Sequence, residues 1–203
     1  MHGGWTWPEL RFRSGQRIAA QGDVSTCLFV VRRGVVRLSS VSPEGREAIL
    51  ALVGPGQAFG EQALVPGDPG SPAATAATDC AVAAVRAGAL VDPAELSTVV
   101  TAIASRLADA TADLERVLHF GPQIRLAGIL ARLAERHGAA SGSRLTISIP
   151  LTQRDLASMV GTSRETVNRS LSTLCAMGWV HRRGRMLVVD DLEAMRRLAR
   201  SAA

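Results

Sequence analysis

Between Arg11 and about Val85 the apolar residues come in short runs, broken by glycine at positions 15, 22, 34, 45, 54, 56, 60, 67 and 70. Turn residues at such spacing predict a β sandwich or jelly roll. Residues 28–31 and 35–39 flank Arg32-Arg33-Gly34 and read as one hairpin. Residues 36–41 and 48–53 flank Ser42-Pro43-Glu44-Gly45-Arg46 and read as a second. The stretch 65–72 holds three prolines and two glycines, so it predicts a shaped loop rather than a central strand. Residues 80–85 supply a closing strand.

The period changes after Asp92-Pro93. Leu96, Val100, Ile103, Leu107, Ala110, Leu114 and Val117 follow one another in alternating steps of four and three. Such an a/d seam predicts a parallel two-helix coiled coil, hence a homodimer, with small Ala110 allowing close approach. The alternative is a helix whose stripe packs on its own β domain. The helix is expected to end near His119-Phe120, because Gly121-Pro122 interrupts it. That dipeptide is the expected domain boundary and hinge.

Beyond it, Ile124, Ala127, Leu130, Leu133 and Ala134 mark a helix ending at His137-Gly138, with the glycine as its C-terminal cap. Residues 144–149 alternate as a strand, and two short helices follow. Residues 179–189 form a hairpin turning at Arg183-Gly184, and Asp190 or Asp191 caps a last helix with Leu192, Met195 and Leu198 inward. This order is that of a winged helix-turn-helix.

Within it, Thr152 is placed to cap the first short helix, and Asp155 three residues on suits its N-terminal turn. Leu156 and Val160 form an apolar face, Ala157 admits a crossing helix and Gly161 a tight turn. Ser163 then caps a second helix buried through Val167, Leu171 and Leu174, which is the spacing of a DNA-binding helix-turn-helix. Arg164, Glu165, Asn168 and Arg169 fall on its outward face. Arginine can grip guanine bidentately, and glutamate can accept from the cytosine amino group. Arg182, Arg183 and Arg185 at the hairpin turn are positioned for phosphates, contacts that orient a protein on DNA without reading sequence.

Charge sharpens this picture. The 203 residues carry a net charge of +5, and every basic residue is arginine. Residues 1–120 hold 10 Arg against 12 Asp plus Glu, a net of −2; residues 121–203 hold 13 against 6, a net of +7. The basic part is the part expected to meet a polyanion. No apolar stretch approaches the roughly 20 residues of a membrane helix, and Met1-His2-Gly3-Gly4-Trp5 lacks a signal-peptide pattern, so a cytoplasmic protein with no membrane partner is expected. Cys27, Cys80 and Cys175 are scattered and read as free thiols.

The run Ser163-Arg164-Glu165-Thr166-Val167-Asn168-Arg169, followed by Gly184-Arg185-Met186-Leu187-Val188-Val189, resembles the signature of the Crp/Fnr family of bacterial transcription regulators. The likeness extends from Arg11 to the last helix. It implies an α+β fold: a cyclic-nucleotide-binding-type β-roll or jelly-roll sensor domain over 1–92, a dimerisation helix and hinge over 93–120, and a C-terminal winged helix-turn-helix over 121–203. It further implies a homodimer on a palindromic operator in double-stranded DNA, with Arg164, Glu165 and Arg169 reading bases, Thr152 and Ser163 contacting phosphates, and RNA polymerase as a further candidate partner.

In cyclic-nucleotide-responsive members of the family, a Gly-Glu pair and a later Arg form a phosphate cassette. Phe59-Gly60-Glu61 is similar to its first part, but Gly70-Ser71-Pro72-Ala73 stands where the Arg belongs, and no arginine lies between Arg46 and Arg86. A lost charge-assisted bond costs about 1.5 to 3 kcal/mol. The adenine-contacting Thr-Ser pair of cyclic-AMP receptors falls on Ala110-Thr111, so half of it is kept. Gly60, Glu61, Ser71, Ala73 and Thr111 are therefore the candidate effector residues, with cyclic AMP disfavoured as the effector. The four-cysteine cluster of oxygen sensors is absent and the four histidines form no haem pair, so neither an iron–sulfur cluster nor haem is expected. Two rival classes remain: a cupin-like enzyme, weakened because residues 5–118 contain no histidine, and a small-molecule-binding or scaffold protein with a basic docking domain.

Overall fold

Among the described residues, alternation of apolar and polar side chains produces eight short strands before the first long helix. They are β1 (Glu9–Phe12), β2 (Arg17–Ala19), β3 (Cys27–Arg33), β4 (Val36–Val41), β5 (Glu47–Val53), β6 (Ala58–Phe59), β7 (Ala73–Ala76) and β8 (Cys80–Arg86). The computed structural model describes residues 7–24, 26–65, 70–89 and 92–200; the N-terminal residues 1–6 and the centre of the proline-rich loop, 66–69, lie outside them.

Two antiparallel sheets result, ordered β1-β8-β3-β6 and β2-β7-β4-β5. Val31, Phe59 and Val82 of the first meet Val36, Leu38, Val53, Ala74 and Ala76 of the second in one apolar core. Each larger side chain there contributes about 1.5–3 kcal/mol by leaving water. Alternation also sends Leu28 and Val30 of β3 to the opposite face, where with Ala58 and Val85 they cluster with Val99 and Ala102 of the helix α1 (Pro93–His119). The Trp7 indole N–H donates to Glu95 at 3.1 Å, tying the start of α1 to the roll.

The hairpin over residues 42–46 forms as expected, with Val36 opposite Val53. The hairpin expected across Arg32-Arg33-Gly34 does not, because β3 pairs with β6 and β8 while β4 pairs with β5 and β7. The chain crosses from one sheet to the other there. Gly34 has φ +78°, and a Cβ on it would overlap the Asp79 carbonyl. The Val35 N–H donates to the Thr78 hydroxyl at 3.0 Å, and its carbonyl accepts from the Ala77 N–H at 2.8 Å. The corner is thus bound to the 77–79 turn rather than closed on itself.

The chain divides into two compact units between Ala110 and Thr111, inside α1. The second comprises the end of α1, then α2 (Pro122–His137), β9 (Gly138–Ser141), β10 (Arg144–Ile147), α3 (Gln153–Val160), α4 (Arg164–Ala176), β11 (Val180–Arg183), β12 (Met186–Val189) and α5 (Leu192–Arg200). Pro122 begins α2, where its missing N–H costs nothing. Asp113 of α1 receives both terminal nitrogens of Arg132 on α2, at 2.7 and 2.6 Å, and one from Arg116 at 2.9 Å. The two bonds from Arg132 bridge the Phe120–Pro122 joint.

Gly138 is the C-terminal cap of α2, as the sequence predicts, though not in the left-handed conformation common at such caps. Its backbone is extended (φ −85°, ψ 135°) and opens β9, a strand absent from the sequence reading. Glycine is needed because a Cβ would overlap the Ala134 carbonyl. The four-stranded sheet runs β11-β12-β10-β9. Asp191 caps α5 through the Ala194 N–H at 2.8 Å, and Met195 is fully buried.

Candidate nucleic-acid interface

Local chemistry shapes the helix pair at the centre of the second unit. The Thr152 hydroxyl accepts from the Asp155 N–H at 3.1 Å, while the Asp155 carboxylate accepts from the Thr152 N–H at 2.8 Å, a reciprocal cap on α3. Gly161 ends α3 in the left-handed region at φ 69°, ψ 47°. The Ser163 hydroxyl then accepts from the Thr166 N–H at 3.2 Å and starts α4. Leu156, Val167 and Leu174 are fully buried between the elements, so the opposite face of α4 is fixed outward.

That face carries Arg164, Glu165, Asn168 and Arg169, all exposed. The Glu165 carboxyl is held below its ordinary range, first by its own backbone N–H, then by the Ser163 hydroxyl and the neighbouring Arg164 and Arg169 charges. It therefore presents an ionised acceptor. Arg169 reaches back to the Thr166 hydroxyl at 3.4 Å.

The hairpin turns at Gly184, φ 62°, and leaves Arg182, Arg183 and Arg185 exposed. Its base is anchored by Asp190, whose carboxylate meets His181 Nδ1 at 2.6 Å and Arg144 Nε at 3.0 Å. Thr152, Arg164, Arg182 and Arg185 come together around one open cleft of about 570 Å³. Gln153 and Arg154 line it too, and the sequence reading missed both. Their signal was position: they are the first two residues of a capped helix, where a backbone N–H and a side chain together can meet an anion. Ser163, Glu165, Asn168, Arg169 and Arg183 lie outside the cleft lining, at the N-cap of α4, along α4 and on β11.

The candidate effector residues in the first unit are less convergent. Gly60 sits at φ 82°, and a Cβ there would approach the Cys27 carbonyl to 2.8 Å. Glu61 pairs with Arg106 of α1, a partner the sequence reading did not find. The Ser71 hydroxyl is buried without a hydrogen bond, and Ala73 opens β7 opposite Ser39. Thr111 belongs to the second unit and is exposed.

Along α1, Leu96, Val100, Leu107, Leu114 and Val117 are 46–67% exposed, and Ala110 is exposed as well. Ile103 differs, being partly buried against the roll. The three cysteines are free thiols. No cluster able to hold a metal occurs among the described residues, and no described helix is long and apolar enough to cross a membrane.

Residues 9–93 match the family model of the cyclic nucleotide-binding domain, and residues 124–198 that of the Crp-like helix-turn-helix domain. The chain is 31% identical over 194 residues to a CRP-like cAMP-activated global transcriptional regulator of Mycobacterium tuberculosis, covering 93% of this chain and 87% of the relative. It is 32% identical over 171 residues to the transcriptional regulator SdrP of Thermus thermophilus, covering 84% and 83%. A solved CRP/FNR-family regulator from Thermus thermophilus superposes with a TM-score of 0.83 at 28% identity, covering 97% of this chain and all of that one. Proteins of this kind are regulators rather than enzymes, which removes the cupin-like alternative. The chain belongs to the Crp/Fnr family of DNA-binding transcription regulators.

Proposed function

We propose that the protein is a homodimeric regulator that reads a palindromic operator through α4 of each subunit, and that cyclic AMP is not its effector. The observation that carries the operator reading is the cleft shared by Arg164, Arg182 and Arg185, beside an outward helix face bearing Glu165, Asn168 and Arg169. Thr152, Ser163, Arg182, Arg183 and Arg185 orient the domain on phosphates. Arg164, Glu165 and Arg169 read base edges. The apolar seam of α1 pairs with the same seam of a second copy, setting two α4 helices about 34 Å apart. RNA polymerase is the macromolecular target of the DNA-bound dimer, which acts in the bacterial cytoplasm.

For the effector, the missing cassette arginine is joined by a second argument. Arg106 is the cation beside Glu61, and Glu61 already neutralises it. A phosphodiester entering there would find no net positive charge.

Arg169→Ala tests the operator reading. The variant is expected to lose about 1–3 kcal/mol of binding and to relax preference at one position of each half-site in a randomised-operator selection. An unchanged preference overturns the assignment.

A further inference from the structure

We infer that Gln153 sets the base preference of Asn168, and so determines specificity without itself touching a base. This rests on the operator reading above. Gln153 is the first residue of α3 and lines the arginine cleft; Asn168 stands four residues after Arg164 on α4, on the same helix face. Across the two helices the Gln153 Nε2 donates to the Asn168 Oδ1 at 2.5 Å. Gln153 is half-buried while Asn168 is exposed, so the glutamine acts as the anchor and the asparagine as the presented group.

An asparagine amide offers two N–H donors and two carbonyl lone pairs. The bond from Gln153 occupies one lone pair and holds the oxygen towards α3. What remains for DNA is rich in donors. Asparagine reads adenine by using both ends at once, oxygen to the N6 amino group and nitrogen to N7. That pairing requires Oδ1 to swing away from Gln153. A donor edge instead suits guanine, with N7 and O6, or thymine, with O4; adenine sets a donating amino group beside its N7 acceptor, and cytosine offers only the amino group. The base facing Asn168 is therefore guanine or thymine.

The test is a randomised-operator selection with the full-length protein and three variants. The unaltered protein is expected to favour guanine or thymine over adenine and cytosine by about three- to tenfold at one symmetric pair of positions, the worth of one hydrogen bond. Asn168→Ala should flatten that position alone. Gln153→Glu replaces the donor by a carboxylate that accepts from Asn168 Nδ2, turning Oδ1 towards the groove, and should move the preference to adenine or cytosine. Gln153→Ala frees the amide and should raise adenine. Two results overturn the inference while leaving the operator reading intact: adenine favoured by the unaltered protein, or Gln153→Glu and Gln153→Ala weakening all operators equally with the preference unmoved. A profile flat at every position, that of Arg169 included, overturns the operator reading and the inference with it.

Discussion

The two units handle charge in opposite ways. In the second, structural carboxylates are each engaged within the fold: Asp155 in the cap of α3, Asp113 by Arg132 and Arg116, Asp190 by His181 and Arg144. The cleft arginines Arg154, Arg164, Arg182 and Arg185 make no salt bridge among the described residues. In the first unit the arrangement is reversed, and the cation nearest the sensor motif, Arg106, is matched by Glu61. The reader domain is built with its positive charge uncompensated, so a polyanion completes it. In the first unit, the cation beside Gly60-Glu61 already has its counter-charge.

The largest break in this comparison comes from the seam of α1, which serves both units. Leu107 is 67% exposed at its centre. Leu107→Asp places two carboxylates face to face in a paired seam and is expected to give a monomer in equilibrium sedimentation. Without the partner, the second half-site loses its tethered reader, and operator affinity should fall by about 10²–10⁴. A dimer that survives the substitution removes the coiled-coil assignment. Leu96→Asp, nearer the roll, is a second variant should the first misfold.

The next prediction strikes the sensor. Glu61→Ala leaves the Arg106 guanidinium mostly buried without its carboxylate, and the two side chains are 26% and 20% exposed. A loss of about 1–3 kcal/mol, between the surface and deeply buried cases, is expected in the thermal unfolding of the first unit. Cyclic AMP should leave operator affinity within about twofold by fluorescence anisotropy, since a ligand shifts an equilibrium only by its differential binding. A larger response to cyclic AMP would show that the charge-neutral pocket still recognises a phosphodiester.

How far each unit was legible in the sequence follows the same division. The helix-turn-helix could be read because its determinants are local: Thr152 and Asp155 three residues apart, Gly161 between two helices, Val167, Leu171 and Leu174 at helical spacing. The roll could be read as all-β but not in its pairing. β3 and β4 look like a hairpin because they are adjacent in sequence, while the bonds that separate them come from Thr78, more than forty residues on. β7 is Ala-Ala-Thr-Ala, a poor strand former that is a strand because β2 and β4 flank it. Arg106 and Glu61 are likewise distant in sequence, and no spacing rule joins them. β9 escaped notice because Gly138 resembles a helix stop and its extended backbone depends on the closeness of Ala134.

The smallest effect tests the reader's charge from the other side, through its one exposed carboxylate on the outward face of α4. Glu165 is offered as the acceptor for a cytosine amino group, and its carboxyl lies below its ordinary value of 4.5 because its own backbone N–H, Ser163, Arg164 and Arg169 favour the ionised form. A depressed value means that the carboxylate persists as pH falls through the usual glutamate range and is lost only at the lower folded value. The preference for cytosine at that position should therefore be the same at about pH 5 as at neutrality, because the group is still ionised there. Measuring it as a ratio of affinities for two operators that differ at that base pair alone cancels the changes that acid brings to phosphate binding at large. Glu165→Gln should reduce the ratio by about three- to tenfold at neutrality and at about pH 5 alike, because a neutral amide oxygen accepts less strongly than a carboxylate. A ratio that already falls between neutrality and about pH 5 in the unaltered protein would mean that Glu165 takes up its proton at an ordinary or raised value. The arginines flanking it would then be committed to the DNA rather than to the carboxylate.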